Sequence, residues 1–213
     1  MCQYYRRFVP NFSETAKPLH DLTKKGTQFQ WTDDCQRAFD NLKAALSGAT
    51  VLALPHDEGE FILDCDASDL AIGAVLSQVQ DGEERPICYA SQLYNKHERN
   101  YNVTRKELLA VVTFVRKFRL YLLGRPFRIR TDHAALQWLK RTPEPIGQQA
   151  RWLEILEEFD YSIVHRPGRL HGNADSLSRR EPDSDYSGPV AVKTASFAND
   201  TTPDDPVDWP SEQ

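Results

Sequence analysis

The sequence lacks a long apolar run. It contains no stretch of about 18 apolar residues, the length that spans a bilayer, so we expect no membrane insertion. Its first ten residues, MCQYYRRFVP, lack the apolar segment of a secretory signal, so we expect a chain that is not secreted and stays in a reducing compartment. Charged residues make up 27% and hydrophobic residues 40% of the 213 positions. This composition is typical of a globular protein with one main domain.

Cysteine is scarce and irregularly spaced. The four cysteines, Cys2, Cys35, Cys65 and Cys88, form no CxxC pair. This spacing argues against a disulfide framework and against a zinc site. We therefore expect free thiols, mostly buried.

Charge is unevenly distributed along the chain. Residues 96–141 carry 12 Lys and Arg against 3 acids, whereas residues 181–213 carry 8 acids and 1 Lys. A basic middle followed by an acidic tail is compatible with a surface that binds a polyanion. A solvated helix face is the alternative explanation.

Hydrophobic periodicity predicts a helical lead-in, outside the main core, followed by a sheet. Thr32 is the expected N-cap of the second lead-in helix, in which Phe39 belongs to the apolar stripe. The predicted elements in chain order are helices at 12–26 and 31–48, strands at 61–66, 71–79 and 85–92, a helix at 104–124, a strand at 127–132, helices at 134–140 and 147–159, a strand at 161–166 and a helix at 172–180.

Three antiparallel strands followed by strands that alternate with helices predict a mixed α/β (α+β) fold, with a sheet flanked by helices. We divide the chain into a helical lead-in at residues 1–50, a main domain at 51–180 and an acidic disordered tail at 181–213. The QDGEE sequence between the second and third strands predicts a hairpin turn.

Four acids fall at element ends. Asp66 ends the strand FILDCD, Glu107 lies in the first turns of the long helix, Asp132 ends FRIRTD, and Asp175 begins the closing helix. Taken singly, acids near helix starts complement the helix dipole. A cluster of carboxylates persists only if a cation compensates it, and oxygen-only ligands select Mg²⁺ or Mn²⁺. Two such ions would promote hydrolysis of a phosphodiester.

The stretches DASDLAIGAVLSQ, TRKELLAVV, IRTDHAAL and HRPGRLHGNADSLSR resemble the ribonuclease H domain of gypsy-type retrotransposon reverse transcriptases, within a Pol polyprotein. Residues 1–50 are similar to the segment that links the polymerase thumb to that domain. The resemblance implies a five-stranded mixed sheet, two Mg²⁺ ions that Mn²⁺ could replace, and cleavage of the RNA strand of RNA/DNA hybrids. It also implies fusion to polymerase and integrase regions, and a location in cytoplasmic virus-like particles, with the nucleus as a second location.

The resemblance also implies roles for particular residues. Asp66, Glu107, Asp132 and Asp175 correspond to the four metal ligands of the family. His165, ten residues before the last acid, would assist proton transfer or product release. Asp64 is interpreted as a neighbour that adds negative charge and Asp69 as a turn residue.

Recognition of a hybrid depends on its shape and its 2′-hydroxyls rather than on its bases. We expect the backbone near Ala67 and Ser68 to contact the RNA strand, and Thr104 and Arg105 to contact phosphates. His133 lies beside the same groove in this prediction, and His171 is a weaker candidate. The contacts should be sensitive to salt.

Other functions are compatible with parts of the pattern. The fold could serve as a non-catalytic nucleic-acid or protein interaction module, because no Tyr-x-Asp-Asp or Phe-x-Asp-Asp motif of a polymerase palm is present. A transposase or integrase core uses a related acidic cluster, although the order Asp, Glu, Asp, Asp fits ribonuclease H better. An aspartic protease is disfavoured, because its Asp-Thr/Ser-Gly motif is absent.

Overall fold

The computed structural model describes residues 1–48, 51–134, 136 and 147–179, and the backbone of residues 191–194. Six strands form one sheet in the order β5-β4-β1-β2-β3-β6. The strands are β1 (Phe61–Ala67), β2 (Ala71–Gln80), β3 (Glu83–Leu93), β4 (Phe127–Thr131), β5 (Tyr161–His165) and β6 (Ala191–Thr194).

The sheet is mixed, as predicted. Strands β1, β2 and β3 form an antiparallel meander, whereas β4 pairs in parallel with both β1 and β5. The turn between β2 and β3 has positive φ at Asp81 (52°) and Gly82 (76°), the combination that a two-residue hairpin turn of matching twist requires. The parallel pairing brings the carboxyl ends of β1 and β4 to the same edge of the sheet.

Six helices accompany the sheet within the described residues: α1 (Phe12–Leu22), α2 (Asp33–Ser47), α3 (Val103–Lys117), α4 (Arg119–Leu122), α5 (Gln148–Glu157) and α6 (Gly172–Ser178). The longest central helix, α3, packs one buried face against β1 and β2. Leu63 and Leu76 from the sheet meet Leu108 and Val115 from α3 in the main core. No helix of the described ranges is long and apolar enough to cross a membrane.

The lead-in covers the opposite face of the sheet. Tyr5, Leu42 and Leu46 pack there with Val75 and Tyr89 in a second cluster of buried residues. The prediction of a lead-in outside the core is therefore wrong, because its helices fill one of the two apolar layers. Asp64 and Asp66 pair with Val75 and Gly73 of β2, so their side chains lie on this face, as strand alternation predicts.

Helix α6 lies on the same face, close to β2. A Cβ at Gly73 would come within 2.5 Å of the Ser178 nitrogen and 2.7 Å of the Ala174 carbonyl oxygen. Only a glycine therefore allows α6 to approach the strand this closely. The close approach brings the first turn of α6, with Asp175, to the end of β1.

Several predictions need correction. Phe39 is 45% exposed rather than buried. The helix predicted over 104–124 ends at Lys117 and is followed by the short α4. Residues 191–194, which we assigned to the disordered tail, form β6 beside β3, so the sheet has a sixth strand. The helix predicted over 134–140 lies largely outside the described residues, as does the rest of the tail.

Smaller predictions are confirmed. Thr32 is the N-cap of α2, and its hydroxyl accepts a hydrogen bond from the Cys35 backbone N–H. All four cysteines are free, and three of them are buried. Burial raises the pKa of the Cys65 and Cys88 thiols, so these side chains behave as small apolar groups.

Candidate active site

Asp66 occupies the end of β1, where the strand leaves the sheet. Its carboxylate is largely buried, and the Ser178 hydroxyl of α6 donates a hydrogen bond to Oδ2 at 2.5 Å. Burial, followed by the negative charges of Asp132 and Asp175, raises the pKa of Asp66, and the Ser178 hydrogen bond opposes this increase. The residue is therefore a desolvated acid surrounded by other acids.

Glu107 approaches Asp66 from the opposite layer. Asn102 caps α3 and accepts a hydrogen bond from the Arg105 N–H, which places Glu107 in the second turn of the helix. Burial and the charges of Asp66 and Asp132 raise the pKa of Glu107 to about 8, against hydrogen bonds from the Ala67 backbone and the Thr131 side chain. Its Oε2 atom is buried without a hydrogen-bond partner among the described residues.

Asp132 completes the group immediately after β4. One carboxylate oxygen from each of Asp66, Glu107 and Asp132 lies within 4.8 Å of the others. Asp132 is exposed, whereas the other two acids are buried, so the group opens toward solvent on one side. The three acids that the sequence singled out from two strand ends and a helix start are therefore brought together.

This group has the chemistry of a site for a hard divalent cation. All three candidate ligands are carboxylates, and none of them forms an ion pair within the part of the chain that the structure describes. Buried carboxylates without a cationic partner repel one another, and this repulsion favours the protonated form of Glu107. The unpartnered Oε2 atom of Glu107 offers lone pairs that a cation could accept. The residues present therefore fit Mg²⁺ or Mn²⁺.

Asp175 lies at the margin of this group. It is in the first turn of α6, and its charge is close enough to contribute to the raised pKa of Asp66. Its Oδ1 atom accepts a hydrogen bond at 2.6 Å from Nε of Arg179, one helical turn later. The structure thus brings three of the four predicted acids into contact distance, with the fourth beside them and neutralised by an arginine.

Two of the predicted histidines border the acids. His165 Nε2 donates to the carbonyl oxygen of Asp132 at 3.0 Å, and its side chain is exposed. His133 Nε2 lies 2.9 Å from the Thr104 hydroxyl. His171, the weaker candidate, is fully buried and donates from Nε2 to the Cys65 carbonyl at 2.8 Å. It therefore lies behind β1 rather than in a substrate groove.

The residues predicted to contact nucleic acid also have internal partners. The Ser68 hydroxyl donates to the Ser178 carbonyl at 2.6 Å and accepts hydrogen bonds from the N–H groups of the following turn. The Arg105 guanidinium stacks over the Tyr101 ring at 4.2 Å and donates to Gln148. These contacts fix the positions of the side chains beside the acidic group.

The interpretation of Asp64 as an added negative charge is wrong. Its fully buried carboxylate is neutralised by Arg130 and Arg166. The turn residue Asp69 faces solvent, and Lys106 Nζ lies 3.4 Å from its Oδ1.

Sequence reasoning missed two groups that hold the acids in place. Ser178 lies within the NADSLSR stretch, three residues after Asp175, but nothing local shows that its hydroxyl reaches Asp66. Thr131 directly precedes Asp132, and the alternation of β4 places its side chain on the opposite face, toward Glu107. Strand alternation alone could have predicted the face on which the Thr131 side chain lies.

The sequence is similar to a known family of domains and to parts of two Pol polyproteins. Residues 56–159 match the family described as "RNase H-like domain found in reverse transcriptase". The Pol polyprotein of transposon 412 from Drosophila melanogaster is 39% identical over 178 residues, which is 84% of this chain and 14% of the polyprotein. The corresponding protein of transposon 297 from the same species is 39% identical over 92% of this chain and 18% of its own length. The chain thus spans less than a fifth of these relatives.

Solved structures show the same fold. The foamy viral protease-reverse transcriptase in complex with double-stranded DNA superposes with a TM-score of 0.63 at 26% identity, covering 77% of this chain and 36% of that chain. A second foamy viral structure with double-stranded DNA gives a TM-score of 0.62 at the same identity, over 77% of this chain and 32% of that one. The likeness extends beyond the matched family segment, because 77% of the chain is longer than residues 56–159.

Proposed function

Since residues 56–159 belong to the family of RNase H-like domains found in reverse transcriptases, we propose that this chain hydrolyses the RNA strand of RNA/DNA hybrids with divalent metal ions. The reaction would serve reverse transcription of a retroelement. The observation that carries the proposal is the convergence of Asp66, Glu107 and Asp132 within 4.8 Å. A buried oxygen of Glu107 has no partner among the described residues, and a cation would supply one.

Asp66, Glu107, Asp132 and Asp175 would hold two Mg²⁺ ions, and Mn²⁺ could take their place. When bound, the ions supply Lewis-acid activation of a water molecule and stabilisation of the leaving oxygen. The protein's own groups prepare the ligands: Ser178 orients Asp66, and Thr131 and the Ala67 N–H orient Glu107. Because Asp175 is paired with Arg179, it would exchange that partner when it takes up its role as a ligand.

His165 is the group placed to move a proton. Its Nε2 atom donates to the Asp132 carbonyl, which restrains the ring and leaves Nδ1 of this exposed residue for taking or giving a proton. An exposed imidazole beside a metal-ligand carboxylate suits transfer to the leaving 3′-oxygen or assistance in product release.

The protein would recognise the shape of the hybrid rather than its base sequence. Polar groups lie beside the acids: the backbone of Ala67 and the side chains of Ser68, Thr104 and His133. Such groups suit contacts to 2′-hydroxyls and phosphates in a wide minor groove. Arg105 is held in place by its stacking on Tyr101, so its charge would face phosphates at low entropic cost. The foamy viral enzymes that this chain resembles were solved with double-stranded DNA, which supports a face that binds duplexes.

The relatives are Pol polyproteins, so we infer that the chain acts next to polymerase and integrase regions. Virus-like particles in the cytoplasm, and then the nucleus, are the compartments in which such a protein would work. The polymerase would increase the affinity for the hybrid, and the RNase H-like domain would cleave its RNA strand.

A cleavage assay tests the proposal. The purified 213-residue chain is incubated with an end-labelled RNA/DNA hybrid and Mg²⁺, and with RNA/RNA and DNA/DNA duplexes as substrate controls. We expect cuts in the RNA strand of the hybrid alone, and none after chelation of the metal. Asp132→Asn should abolish the cuts, whereas Asp160→Asn, at an exposed aspartate before β5, should leave them unchanged.

The outcomes separate the candidate functions. Strand transfer into DNA without RNA cleavage would identify a transposase or integrase core. Hybrid binding without any cleavage, by a chain with a native circular dichroism spectrum, would identify a non-catalytic binding module. Either result would overturn the proposed activity.

A further inference from the structure

A second buried polar group lies two residues before Asp66, behind the acidic site. Asp64 is fully buried, and its carboxylate is surrounded by donors from three later segments. Arg130 of β4 donates from Nε at 2.7 Å and from Nη2, Arg166 donates from Nη1 at 3.2 Å, and Asn173 of α6 donates from Nδ2 at 2.8 Å. His171 Nδ1 lies 3.6 Å away. We call these five residues the Asp64 network.

The network spans the two ends of the site. Arg166, His171 and Asn173 all lie between His165 and Asp175, so the segment 166–173 connects the proposed proton-transfer residue to the fourth acid. This segment is hydrogen-bonded to β1 at two kinds of acceptor. Arg166 and Asn173 donate to the Asp64 side chain, and His171 donates to the backbone carbonyl of Cys65. The Arg166 N–H also bonds to the Thr131 carbonyl, directly before Asp132.

We propose that Asp64 is a positioning residue for this reaction: its buried carboxylate fixes segment 166–173 to β1 and so sets Asp175 and His165 against Asp66 and Asp132. This inference rests on the proposed function. Asp64 does not reach solvent or the acidic group's opening, so it acts through Arg166 and Asn173 rather than on the reacting atoms.

Charge balance explains why a carboxylate suits this position. Two arginines face Asp64, and Glu84 of β3 accepts from Arg130 Nη1 at 2.9 Å and Nη2 at 2.6 Å. Two cations and two anions thus neutralise each other in a cluster centred on the buried Asp64, with several directional hydrogen bonds. Such a network permits one arrangement of its members, since any displacement leaves a buried charge unpaired.

The lead-in supports the network from outside. The Tyr4 hydroxyl accepts from Arg166 Nη2 at 2.8 Å, and the Tyr5 hydroxyl accepts from Asn173 at 3.4 Å. The Arg166 guanidinium also lies 5.4 Å from the centre of the Tyr4 ring. Residues of the lead-in therefore restrain the same side chains that hold segment 166–173.

The test compares two arginine–carboxylate pairs whose carboxylates lie on β1 or directly before it. Asp64→Asn and Arg166→Gln remove network charges, whereas Glu60→Gln and Arg128→Gln remove the half-exposed pair that joins the start of β1 to β4. Each variant is measured for kcat and KM on a hybrid substrate, and for Mn²⁺ affinity by calorimetry without substrate.

Loss of a group that orients metal ligands lowers metal affinity or activity by about 10–100-fold. We expect a loss of that size in kcat and in Mn²⁺ affinity for the network variants, with KM for the hybrid unchanged. Raised Mn²⁺ concentrations should recover part of kcat. The matched Glu60→Gln and Arg128→Gln variants should retain wild-type values for all three quantities.

Each outcome of these measurements bears on the positioning role. If the network variants melt at lower temperature but keep wild-type kcat and Mn²⁺ affinity while folded, Asp64 is purely structural and the inference is overturned. If Asp64→Asn does not fold, Arg166→Gln, at a partly exposed side chain, tests the same role by the same criteria. If the wild-type chain cleaves nothing, the proposed function fails, and the Mn²⁺ affinities alone still test the positioning role.

Discussion

Asp64 and Asp66 are two buried aspartates on the same face of the same strand, yet the protein treats their charges in opposite ways. Asp64 is enclosed by Arg130, Arg166 and Asn173, which neutralise and bond it internally. Asp66 faces Glu107 and Asp132, and its pKa is raised because burial and nearby like charges oppose its ionisation. One carboxylate is paired within the protein, whereas the other forms no ion pair among the described residues and is a proposed ligand of a cation.

Asp64 and Asp66, two residues apart, therefore contribute differently: we expect Asp64 to matter for stability and Asp66 for function. A buried ion pair costs desolvation energy and returns it only with good geometry, so the Asp64 network fixes the arrangement of segments more than it stabilises the fold. The acidic group has the reverse character, because its members repel one another until a cation binds. Substitutions on the two sides should therefore change stability in opposite directions.

The largest expected effect is on the network. Asp64→Ala leaves the largely buried Arg166 without its carboxylate partner and Arg130 paired with Glu84 alone, which costs about 3–5 kcal/mol of unfolding free energy. Urea denaturation followed by tryptophan fluorescence measures this loss. The matched change Glu60→Ala removes a half-exposed partner of Arg128 and should cost only about 0.2–1 kcal/mol. Similar losses in both variants would remove the distinction between the two pairs.

The acidic group should behave differently. Glu107→Gln removes a proposed metal ligand and one repelling charge, so we expect hydrolysis to fall by about 10²–10³-fold, as when one group of a preorganised electrostatic site is lost. Above pH 8 the metal-free variant should be at least as stable as the wild type, because the buried charge is gone. Single-turnover cleavage and thermal melting in a chelator measure the two effects. Destabilisation as large as that of Asp64→Ala would contradict the contrast.

The positions of these acids could be predicted from the sequence. Strand alternation placed Asp64 and Asp66 on one face, and the positions of Asp66 and Asp132 at strand ends indicated a shared site, whereas the pairing of β1 with β4 was not predicted. The helical period likewise placed Glu107 in the first turns of the long helix. These features depend on local patterns of period 2 or 3.6, which a single sequence displays.

The role of Asp64 could not be predicted, because its partners are 66 to 109 residues away in the chain. The same strand pattern is compatible with a free and with a neutralised carboxylate, and only the tertiary packing distinguishes them. Strand β6 was missed for a related reason. It pairs through its backbone with the sheet edge at β3, and the surrounding acidic, proline-containing sequence shows no strand period.

A substitution with a smaller expected loss of stability tests whether the close approach of α6 to β2 places Asp175 beside β1. Gly73→Ala places a methyl group within 2.5 Å of the α6 backbone, so the helix must move outward. Overpacking of this kind costs about 1–3 kcal/mol. We expect a lower urea midpoint together with weaker Mn²⁺ binding, because both Asp175 and Ser178 move with the helix. Gly172→Ala, where the added carbon meets nothing within 4 Å, is the matched control and should change neither quantity.

The smallest effect we predict, taken per pH unit, is a pH dependence that only the acidic group should produce. The folded, metal-free protein holds a proton on Glu107 up to a pKa of about 8, whereas the ordinary pKa of a glutamate is 4.5. Because the pKa is raised in the folded state, its contribution to stability is complete below pH 4.5 and is lost as the pH rises through 8. The melting temperature in a chelator should therefore fall by a few degrees per pH unit inside this window, relative to Glu107→Gln.

Magnesium should remove this fall, because the cation binds the ionised carboxylate and takes over the role of the proton. Calorimetry at about pH 7, below the raised pKa of Glu107, should accordingly detect proton release on Mg²⁺ or Mn²⁺ binding, in proportion to the buffer's ionisation enthalpy. A slope that is the same in the wild type and in Glu107→Gln would show that the two aspartates of β1 differ less than their surroundings indicate.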